Sequence, residues 1–254
     1  MIIRKEQKLV FEEARLPDFE DYMVEHLKDF SPLHSQSLGE ESIRGLIQMG
    51  VERAKKHGFT RRGPVKFYIE TIILLGIAFD TDPQYPWLSS ILRDTSISDQ
   101  VERADRAHAW LVSFLDAAGG PDRQYAKQAL RSARKIPLQA TPVSSPGFTD
   151  EVISKMKENH PEKASYLGDA ILRSLVPPAV KETRKHGIYT DTGLCLFLGL
   201  TFAIGHGFPN DPKYPWVANT LANPAITDAD KRVDRLYSKT MTYLDHVLQH
   251  LEGK

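Results

Sequence analysis

The sequence predicts an all-α protein in which two related helical-bundle repeats follow each other, joined by a basic helical linker. Apolar residues recur at helical spacing, Gly and Pro stand where helices would end, and the chain matches itself at a shift of 129 residues. Phe19–Ala118 aligns with Phe148–Val247 without a gap, and 27 of the 100 aligned pairs are identical. We therefore expect a first repeat at residues 1–118, a linker at 119–147 and a second repeat at 148–254.

In the first repeat, apolar side chains at every third or fourth position predict five helices. The first helix covers Phe11–Phe30 and is stopped by Pro32. The other four are expected at Leu38–Lys56, at Pro64–Ala78, in a short stretch after Trp87, and from Ser98 or Asp99 to Ala118. His57 and Gly58 are expected to end the second helix, because glycine can adopt the left-handed conformation. The third helix is apolar on most sides, which predicts a central position.

The second repeat is expected to have the same order of helices, with one difference. Gln48 and Met49 of the first repeat are replaced by Pro177 and Pro178. Proline inside a helix removes a hydrogen-bond donor and costs about 3 kcal/mol or more, so the equivalent helix must kink or divide there. The two repeats are therefore predicted to differ in shape, and two identical sites are not expected.

The motif Asp-Pro-x-Tyr-Pro-Trp occurs once in each repeat and predicts a rigid corner between the third and fourth helices. The Asp can cap a helix, and the first Pro fits the first position of that helix. The second Pro can start the short fourth helix, and the Trp after it is expected to point into the core. The predicted structural residues are Asp82, Pro83, Pro86, Trp87, Asp211, Pro212, Pro215 and Trp216. The alternative is an exposed binding hot spot that includes Tyr85 and Trp87, with Tyr214 as the equivalent candidate for contact with a partner.

A second repeated pattern, Arg-x-Asp-Arg, lies at the start of the last helix of each repeat. Its residues are Arg103, Asp105 and Arg106 in the first repeat and Arg232, Asp234 and Arg235 in the second. We interpret the pattern as an ion network that supports the fold, in which the acids pair with an arginine or with His57 and His186. The alternative is a clamp in which the arginines bind a phosphate or a carboxylate.

The linker contains a predicted short helix at Asp122–Ile136, with Asp122 as a possible N-cap. After Asp122 this helix has five basic residues and no acidic one. Four of these cations share one helix face, namely Arg123, Lys127, Arg131 and Arg134. We therefore expect this face to be a docking site for an acidic partner.

The charge balance and the apolar runs exclude several classes of protein. The chain has 33 Lys and Arg against 33 Asp and Glu, which argues against a nucleic-acid binder. The most apolar runs are about a dozen residues long, short of the roughly 20 needed to cross a bilayer, so no stable membrane insertion is expected. The N-terminus lacks a hydrophobic signal core, and the single cysteine, Cys195, fits a reducing compartment. These features predict a cytoplasmic protein.

No catalytic or cofactor motif is present in the sequence. There is no nucleophile elbow, P-loop or dinucleotide-binding motif, and Cys195 is interpreted as a buried, inert thiol. His246 and His250 are four residues apart but lack supporting ligands, so we expect neither a metal nor a cofactor. The chain is therefore predicted not to be an enzyme. The alternative is a hydrolase that uses Arg103, Asp105 and Arg106 with His57, or the equivalent residues of the second repeat.

The segment MIIRKEQ, Phe19–Leu27, Phe79–Pro83 and the pair Pro86-Trp87 resemble a group of small helical bacterial proteins encoded near type VI secretion spike, PAAR-type and effector components. In those relatives one copy of the pattern makes most of the protein, and a tail similar to Lys231–Tyr237 follows. The resemblance covers both repeats but not the basic linker. This chain departs from the group in its duplication and in Tyr22, where the relatives tend to have arginine. The resemblance implies a cytoplasmic partner-binding role in effector delivery and no catalytic residues.

These observations together predict a non-catalytic protein-binding module. The expected role is that of an adaptor or chaperone for a secreted effector or spike protein of a bacterial secretion system. The alternative within this class is an immunity protein that neutralises one cognate toxin. Nucleic-acid binding by the linker helix is disfavoured, because the net charge of the whole chain is zero.

Overall fold

The computed structural model describes residues 5–135 and 146–253, and the side chains of residues 18–135 and 146–253. Within these ranges every regular element is a helix, which confirms the all-α fold class. The first half contains α1 (Lys5–Phe30), α2 (Pro32–Lys56), α3 (Arg62–Leu75), α4 (Pro86–Arg93) and α5 (Gln100–Gly119). A 3-10 helix (Pro121–Arg123) and α6 (Gln124–Ala133) follow. The second half contains α7 (Phe148–Asn159), α8 (Pro161–Leu167), α9 (Asp169–Ser174), α10 (Val176–Lys185), α11 (Asp191–Ile204), a 3-10 helix (Phe208–Asn210), α12 (Pro215–Leu221) and α13 (Ala229–Glu252).

Two residues that lie 129 positions apart are called counterparts below. The helix α2 begins at Pro32 and not at the predicted Leu38, because proline is accommodated in the first turn of a helix. Gly39, with φ +76°, interrupts α2 after its first two turns. Its counterpart Gly168, with φ +79°, separates α8 from α9. The second helix of each half is therefore bent at the same place by a glycine in a conformation that other residues avoid.

The helix that follows the bend is divided again in the second half. The helix α9 ends at Ser174 and α10 begins at Val176, with Pro177 in its first turn. This confirms the predicted kink or division at the proline pair. Both α2 and α10 are followed by a capping histidine and then by a glycine with positive φ, Gly58 at +74° and Gly187 at +69°, as predicted.

One hydrophobic core extends across both halves. The third helix of the first half is central as predicted, because Ile69 and Ile72 of α3 are fully buried. Met23 of α1 and Leu198 of α11 belong to the same continuous cluster. A smaller cluster around Phe197 lies within the second half. The two halves therefore share apolar packing rather than closing two separate cores.

Each half places the first part of its second helix against the corner loop of the other half. The helix α8 packs against α5, and the ring centroid of Tyr166 lies 5.4 Å from that of Phe114. In the opposite direction, the ring of His34 in α2 lies 6.1 Å from the ring of Tyr214, edge to face. The consequence is a reciprocal arrangement in which each corner is covered by a helix of the other half.

The basic linker helix is shorter than predicted and begins without a side-chain cap. Asp122 and Arg123 have φ +48° and +60°, and α6 starts only at Gln124, so Asp122 is not the N-cap. Residues 136–145 of the predicted linker, including the predicted helix end at Ile136, lie outside the described residues.

Candidate functional site

The two corner motifs join the halves through paired aspartates. Oδ2 of Asp82 accepts a hydrogen bond from the backbone N–H of His206 at 2.7 Å. Oδ2 of its counterpart Asp211 accepts one from the backbone N–H of Ile77 at 2.9 Å. Because Ile77 and His206 are themselves counterparts, the same bond is made in both directions. Both aspartates are buried, so these bonds satisfy charges that water does not reach.

Two glycines permit the close backbone approach that these bonds require. A Cβ on Gly76 would lie 2.7 Å from the carbonyl oxygen of Ile204, and a Cβ on Gly205 would lie 2.8 Å from that of Leu75. Both glycines have positive φ, +101° and +94°. Since the obstructing atoms are backbone atoms, no larger residue fits either position without moving the halves apart.

Two buried lysines bind the ends of the central helices, Lys213 across the junction and Lys163 within the second half. Nζ of Lys213 donates to the carbonyl oxygen of Ile72 at 2.8 Å, and Nζ of Lys163 donates to that of Phe202 at 2.5 Å. Burial lowers the pKa of Lys163 to about 8 and lowers the pKa of Lys213 as well. The ammonium groups satisfy carbonyls that lie at the negative end of a helix dipole, which is a structural use of charge.

The tyrosines and tryptophans of the motif do not face the directions predicted from the sequence. Tyr85 and Tyr214 are only 2% and 4% exposed, so the prediction that they are surface contacts for a partner is wrong. Trp87 is 43% exposed, so the prediction that it points inward is also wrong, while Trp216 is partly buried. The tyrosine is the last residue before α4 or α12 and packs into the core, which leaves the tryptophan two positions later nearer the surface.

The four prolines of the two corner motifs have two different roles. Pro86 and Pro215 are the first residues of α4 and α12, as predicted. Pro83 and Pro212 lie in the loop and not in a helix, which corrects the first helical position assigned to them. Oδ1 of Asp82 bonds the backbone N–H of Gln84, so the aspartate closes a turn and does not cap a helix.

The repeated arginines bind backbone carbonyls. Nη2 of Arg103 donates to the carbonyl oxygen of His57 at 2.6 Å, and Nη1 of Arg232 donates to that of His186 at 2.7 Å. This corrects the predicted ion network, because each guanidinium satisfies a carbonyl at a helix end that lacks a partner within the helix. The same bonds use terminal nitrogens of Arg103 and Arg232, which leaves these two arginines fewer donors for the alternative phosphate or carboxylate clamp.

The proposed hydrolase residues do not converge in one cleft. Asp105 and its counterpart Asp234 are exposed, and Arg106 pairs with Glu102 on the surface of α5 at 2.6 Å. The side chain of His57 points instead to Asp80, at 3.0 Å from Oδ2.

Asp80 is the centre of a buried polar cluster that the sequence analysis did not find. Its carboxylate accepts hydrogen bonds from Arg53 at 2.5 Å and from the hydroxyl of Tyr68 at 2.8 Å, besides the contact with His57. Burial by itself would raise the pKa of Asp80, but hydrogen bonds from His57 and Tyr68 and the charge of Arg53 outweigh it and hold this pKa well below its usual range. Burial raises the pKa of Tyr68. The counterpart of Asp80 is Pro209, so the cluster exists in the first half only.

An exposed apolar surface lies along α1 and the neighbouring end of α3. On α3, Lys66 contacts Tyr22 and Glu70 contacts His26, and Leu74 stands one turn further along the same side of the helix. We therefore define the α1 face as Tyr22, His26, Phe30 and Leu74. Tyr22, Phe30 and Leu74 are 46%, 36% and 43% exposed. The imidazole of His26 stacks between the rings of Tyr22 and Phe30, at centroid distances of 6.1 and 5.4 Å, and Nε2 of His26 lies 2.6 Å from Glu70. The face is thus a continuous row of aromatic side chains on a helix surface.

A pocket lies where the first part of α2 meets the second corner and α13. It has a volume of about 260 Å³ and we call it the Trp216 pocket. It is lined by Leu33, His34, Ser37, Leu38, Lys213, Pro215, Trp216, Lys239, Thr242, Tyr243 and His246. A broader open depression of about 660 Å³ lies beside the first corner. Two of the polar groups that line it, Ser89 and Arg93, already bind the carbonyl oxygen of Asp80, at 2.5 and 3.1 Å.

The cations of the linker helix are partly engaged within the chain. Nη2 of Arg131 lies 2.6 Å from Glu252 of α13, and Arg134 pairs with Asp245 of the same helix. Arg123 is exposed, and Lys127 is partly buried. The predicted docking face therefore loses two of its four cations to the second half of the protein.

Neither a metal site nor a membrane-spanning helix is found among the described residues. Over residues 18–135 and 146–253, no three His, Cys, Asp or Glu side chains are grouped so that they could hold a metal ion. In the described part of the chain, no helix combines the length and the apolar character needed to cross a membrane. Comparison with protein-family models, with curated proteins and with solved structures gives no match to this chain.

Proposed function

We propose that this protein is a non-catalytic adaptor, built from a duplicated helical module, which binds another protein through the α1 face. The observation that carries the proposal is the row of exposed aromatic side chains on that face. Exposed apolar patches of this kind mark interaction surfaces in soluble proteins.

The duplication is supported by the way in which the halves meet. Asp82 and Asp211 make the same bond in opposite directions, and Gly76 and Gly205 allow the same close approach. The helices α3 and α11 begin and end 129 residues apart, which is also the shift that aligns the sequence. A single ancestral module that packs against its own copy explains these matched contacts.

The aromatic character of the α1 face is not required by the fold. The counterparts of Tyr22, Phe30 and Leu74 are Glu151, Asn159 and Ala203, which are small or polar at equivalent places in the second half. Since the second half folds with small or polar residues at these places, the fold does not need the aromatic residues of the first half, which can therefore contact a partner.

The charges beside the α1 face define the chemistry of the partner. The guanidinium of Arg62 lies 5.7 Å from the ring centroid of Tyr22, and the ammonium of Lys66 lies 5.5 Å from it. Glu70 lies 3.8 Å from Lys66, which leaves Arg62 as the cation of this border that has no ion pair with a described residue. A partner that fits this surface has an apolar patch with an acidic side chain placed to meet Arg62. From the sequence resemblance, a secreted effector or a spike component is the partner class that we expect.

An immunity protein and a hydrolase are the two alternatives to the adaptor role. An immunity protein would bind one toxin, whereas an adaptor binds a carrier and a cargo at the same time, so the stoichiometry of the complex distinguishes them. The hydrolase alternative is not supported by the geometry, because Arg103 binds a backbone carbonyl while Asp105 and Arg106 lie on the surface.

The test compares two matched charge substitutions. Leu74→Glu places a carboxylate on the α1 face, and the control Ala203→Glu places one at the exposed counterpart position. A partner captured from the native host is purified and titrated against both variants. We expect Leu74→Glu to weaken binding by about tenfold or more and Ala203→Glu to leave it unchanged. Equal affinities for both variants would contradict the proposal, and so would a dimer of this chain that Leu74→Glu converts to a monomer.

A further inference from the structure

The Trp216 pocket has a counterpart in the other half, and that counterpart is filled. There the side chain of Tyr166, from α8, packs among three aromatic residues of the first half. Its ring centroid lies 5.4 Å from Phe114, 6.4 Å from Trp110 and 6.4 Å from Trp87. The structure thus shows how this fold holds an aromatic ring at the junction of α5, α8 and the corner.

The Trp216 pocket keeps two of the aromatic walls and lacks the ring. Trp216 and Tyr243 are the counterparts of Trp87 and Phe114, and their ring centroids lie 5.9 Å apart. Ser37 is the counterpart of Tyr166, and Lys239 is the counterpart of Trp110. The pocket therefore lies where two aromatic side chains have been replaced by smaller or more flexible ones. Its volume of about 260 Å³ suits a single ring rather than a drug-sized molecule.

The charges on the pocket are all positive or neutral. Lys239 and His246 line it and are exposed, and Lys239 forms no ion pair with any described residue. The wall formed by His34 is uncharged at neutral pH, because burial and then the charge of Lys213 lower the pKa of His34 to about 4. No acidic side chain is present among the described residues of the lining. The pocket therefore favours a ring that has a carboxylate beside it.

We propose that the Trp216 pocket binds the aromatic side chain of a partner polypeptide, a tyrosine or phenylalanine with an acidic residue next to it. A side chain is favoured over a free small molecule, because the filled counterpart holds a ring presented by a helix. The inference rests on the proposed protein-binding function but uses a surface separate from the α1 face. An adaptor needs two such surfaces to hold two proteins together.

The test uses a short peptide, so it gives a result even if no partner is captured through the α1 face. The probe is the end-blocked tripeptide Glu-Tyr-Glu, and the controls are Glu-Ala-Glu and free 4-hydroxyphenylacetate. Binding is followed through the indole N–H signal of Trp216 in nitrogen-15 NMR spectra of the full chain. We expect a saturable shift with Glu-Tyr-Glu and at least about tenfold weaker binding of Glu-Ala-Glu. No saturable shift with Glu-Tyr-Glu, or tighter binding of the free acid than of the peptide, would overturn the proposal.

Matched variants locate the binding. Ser37→Tyr copies the tyrosine of the filled counterpart and should abolish the shift, whereas Tyr166→Ser leaves the pocket intact and should keep it. Lys239→Glu should weaken Glu-Tyr-Glu by about fivefold or more, because it reverses the charge beside the ring. If Ser37→Tyr fails to fold, Lys239→Trp fills the pocket from the other side and should have the same effect. Unchanged binding in the folded filling variant, or in Lys239→Glu, would contradict the inference.

Discussion

Asp82 and Asp211 make the same bond in opposite directions across the junction, whereas Tyr22 and its counterpart Glu151 give two surfaces of opposite character. The first pair is buried and the second pair is exposed. The residues that are repeated in both halves therefore have structural tasks at the junction. The places where the halves differ are the α1 face, the Trp216 pocket and the Asp80 cluster, and these are where we propose tasks specific to one half.

Removal of a junction aspartate should destabilise the protein more than any other substitution considered. Asp211→Ala removes the acceptor of the Ile77 N–H and leaves the buried ammonium of Lys213 without its neighbouring carboxylate, which lies 3.7 Å away. We expect a loss of about 3–5 kcal/mol in the free energy of unfolding, and a similar loss for Asp82→Ala. Urea denaturation measures both, with the exposed Asp105→Ala as control. A change below about 1 kcal/mol for either junction variant would show that the paired bonds do not hold the halves together.

The next effect comes from the glycines of the junction. Gly76→Ala and Gly205→Ala place a Cβ within 2.8 Å of a backbone carbonyl oxygen at positive φ, so each should cost about 3 kcal/mol. The control is Gly45→Ala in α2, where nothing lies within 4 Å of the added Cβ. Because alanine favours helix, the control should gain up to about 1 kcal/mol. Thermal unfolding of the three variants checks the prediction, and equal melting temperatures would refute it.

A smaller and pH-dependent effect is expected at Asp80, which only the first half possesses. Asp80→Asn should cost about 2 kcal/mol at pH 7, since Arg53 and His57 lose a charged partner. The pKa of Asp80 is lower in the folded than in the unfolded chain, so its contribution is present above the unfolded pKa near 4 and is lost as the pH falls. The difference between wild type and variant should shrink by about 1 kcal/mol between pH 7 and about pH 3. A difference that grows on acidification would contradict this assignment.

The smallest effect is expected for the linker helix. Arg131→Glu and Arg134→Glu break ion pairs with Glu252 and Asp245 that are exposed to solvent. Such pairs contribute less than about 1 kcal/mol, so the double variant should unfold within that margin of the wild type. Calorimetry in low salt measures the difference. A loss of several kcal/mol would mean that α6 is an integral part of the second half.

Helix ends and the place of the corners could be predicted from the sequence, because Gly58, Pro86 and the proline pair act locally on the backbone. Which of Tyr85 and Trp87 is buried could not be predicted, because residues two positions apart at the start of a helix face different sides and the motif does not say which side faces the core. The hydrogen-bond partner of Asp82 lies in the other half of the chain. An aspartate shortly before a helix looks the same in the sequence whether its side chain caps that helix or binds a distant backbone N–H.

The Asp80 cluster and the Trp216 pocket were missed for a related reason. Comparison of the repeats directs attention to identical positions, whereas Asp80 and Ser37 are positions at which the halves differ. The repeated arginines lie on the last helix of each half, as predicted. Their acceptors are the backbone carbonyl oxygens of His57 and His186, which the sequence cannot indicate because every residue has one.

Site-specific photo-crosslinking in the native host tests whether the α1 face binds another protein. A photoreactive phenylalanine analogue is placed at Tyr22 in one sample and at its counterpart Glu151 in another, in the full-length chain at normal expression. If the α1 face binds another protein, the analogue at position 22 gives a discrete adduct with that protein and the analogue at position 151 gives none. Adducts of equal yield at both positions, or none at Tyr22, would show that the α1 face is not the site of binding.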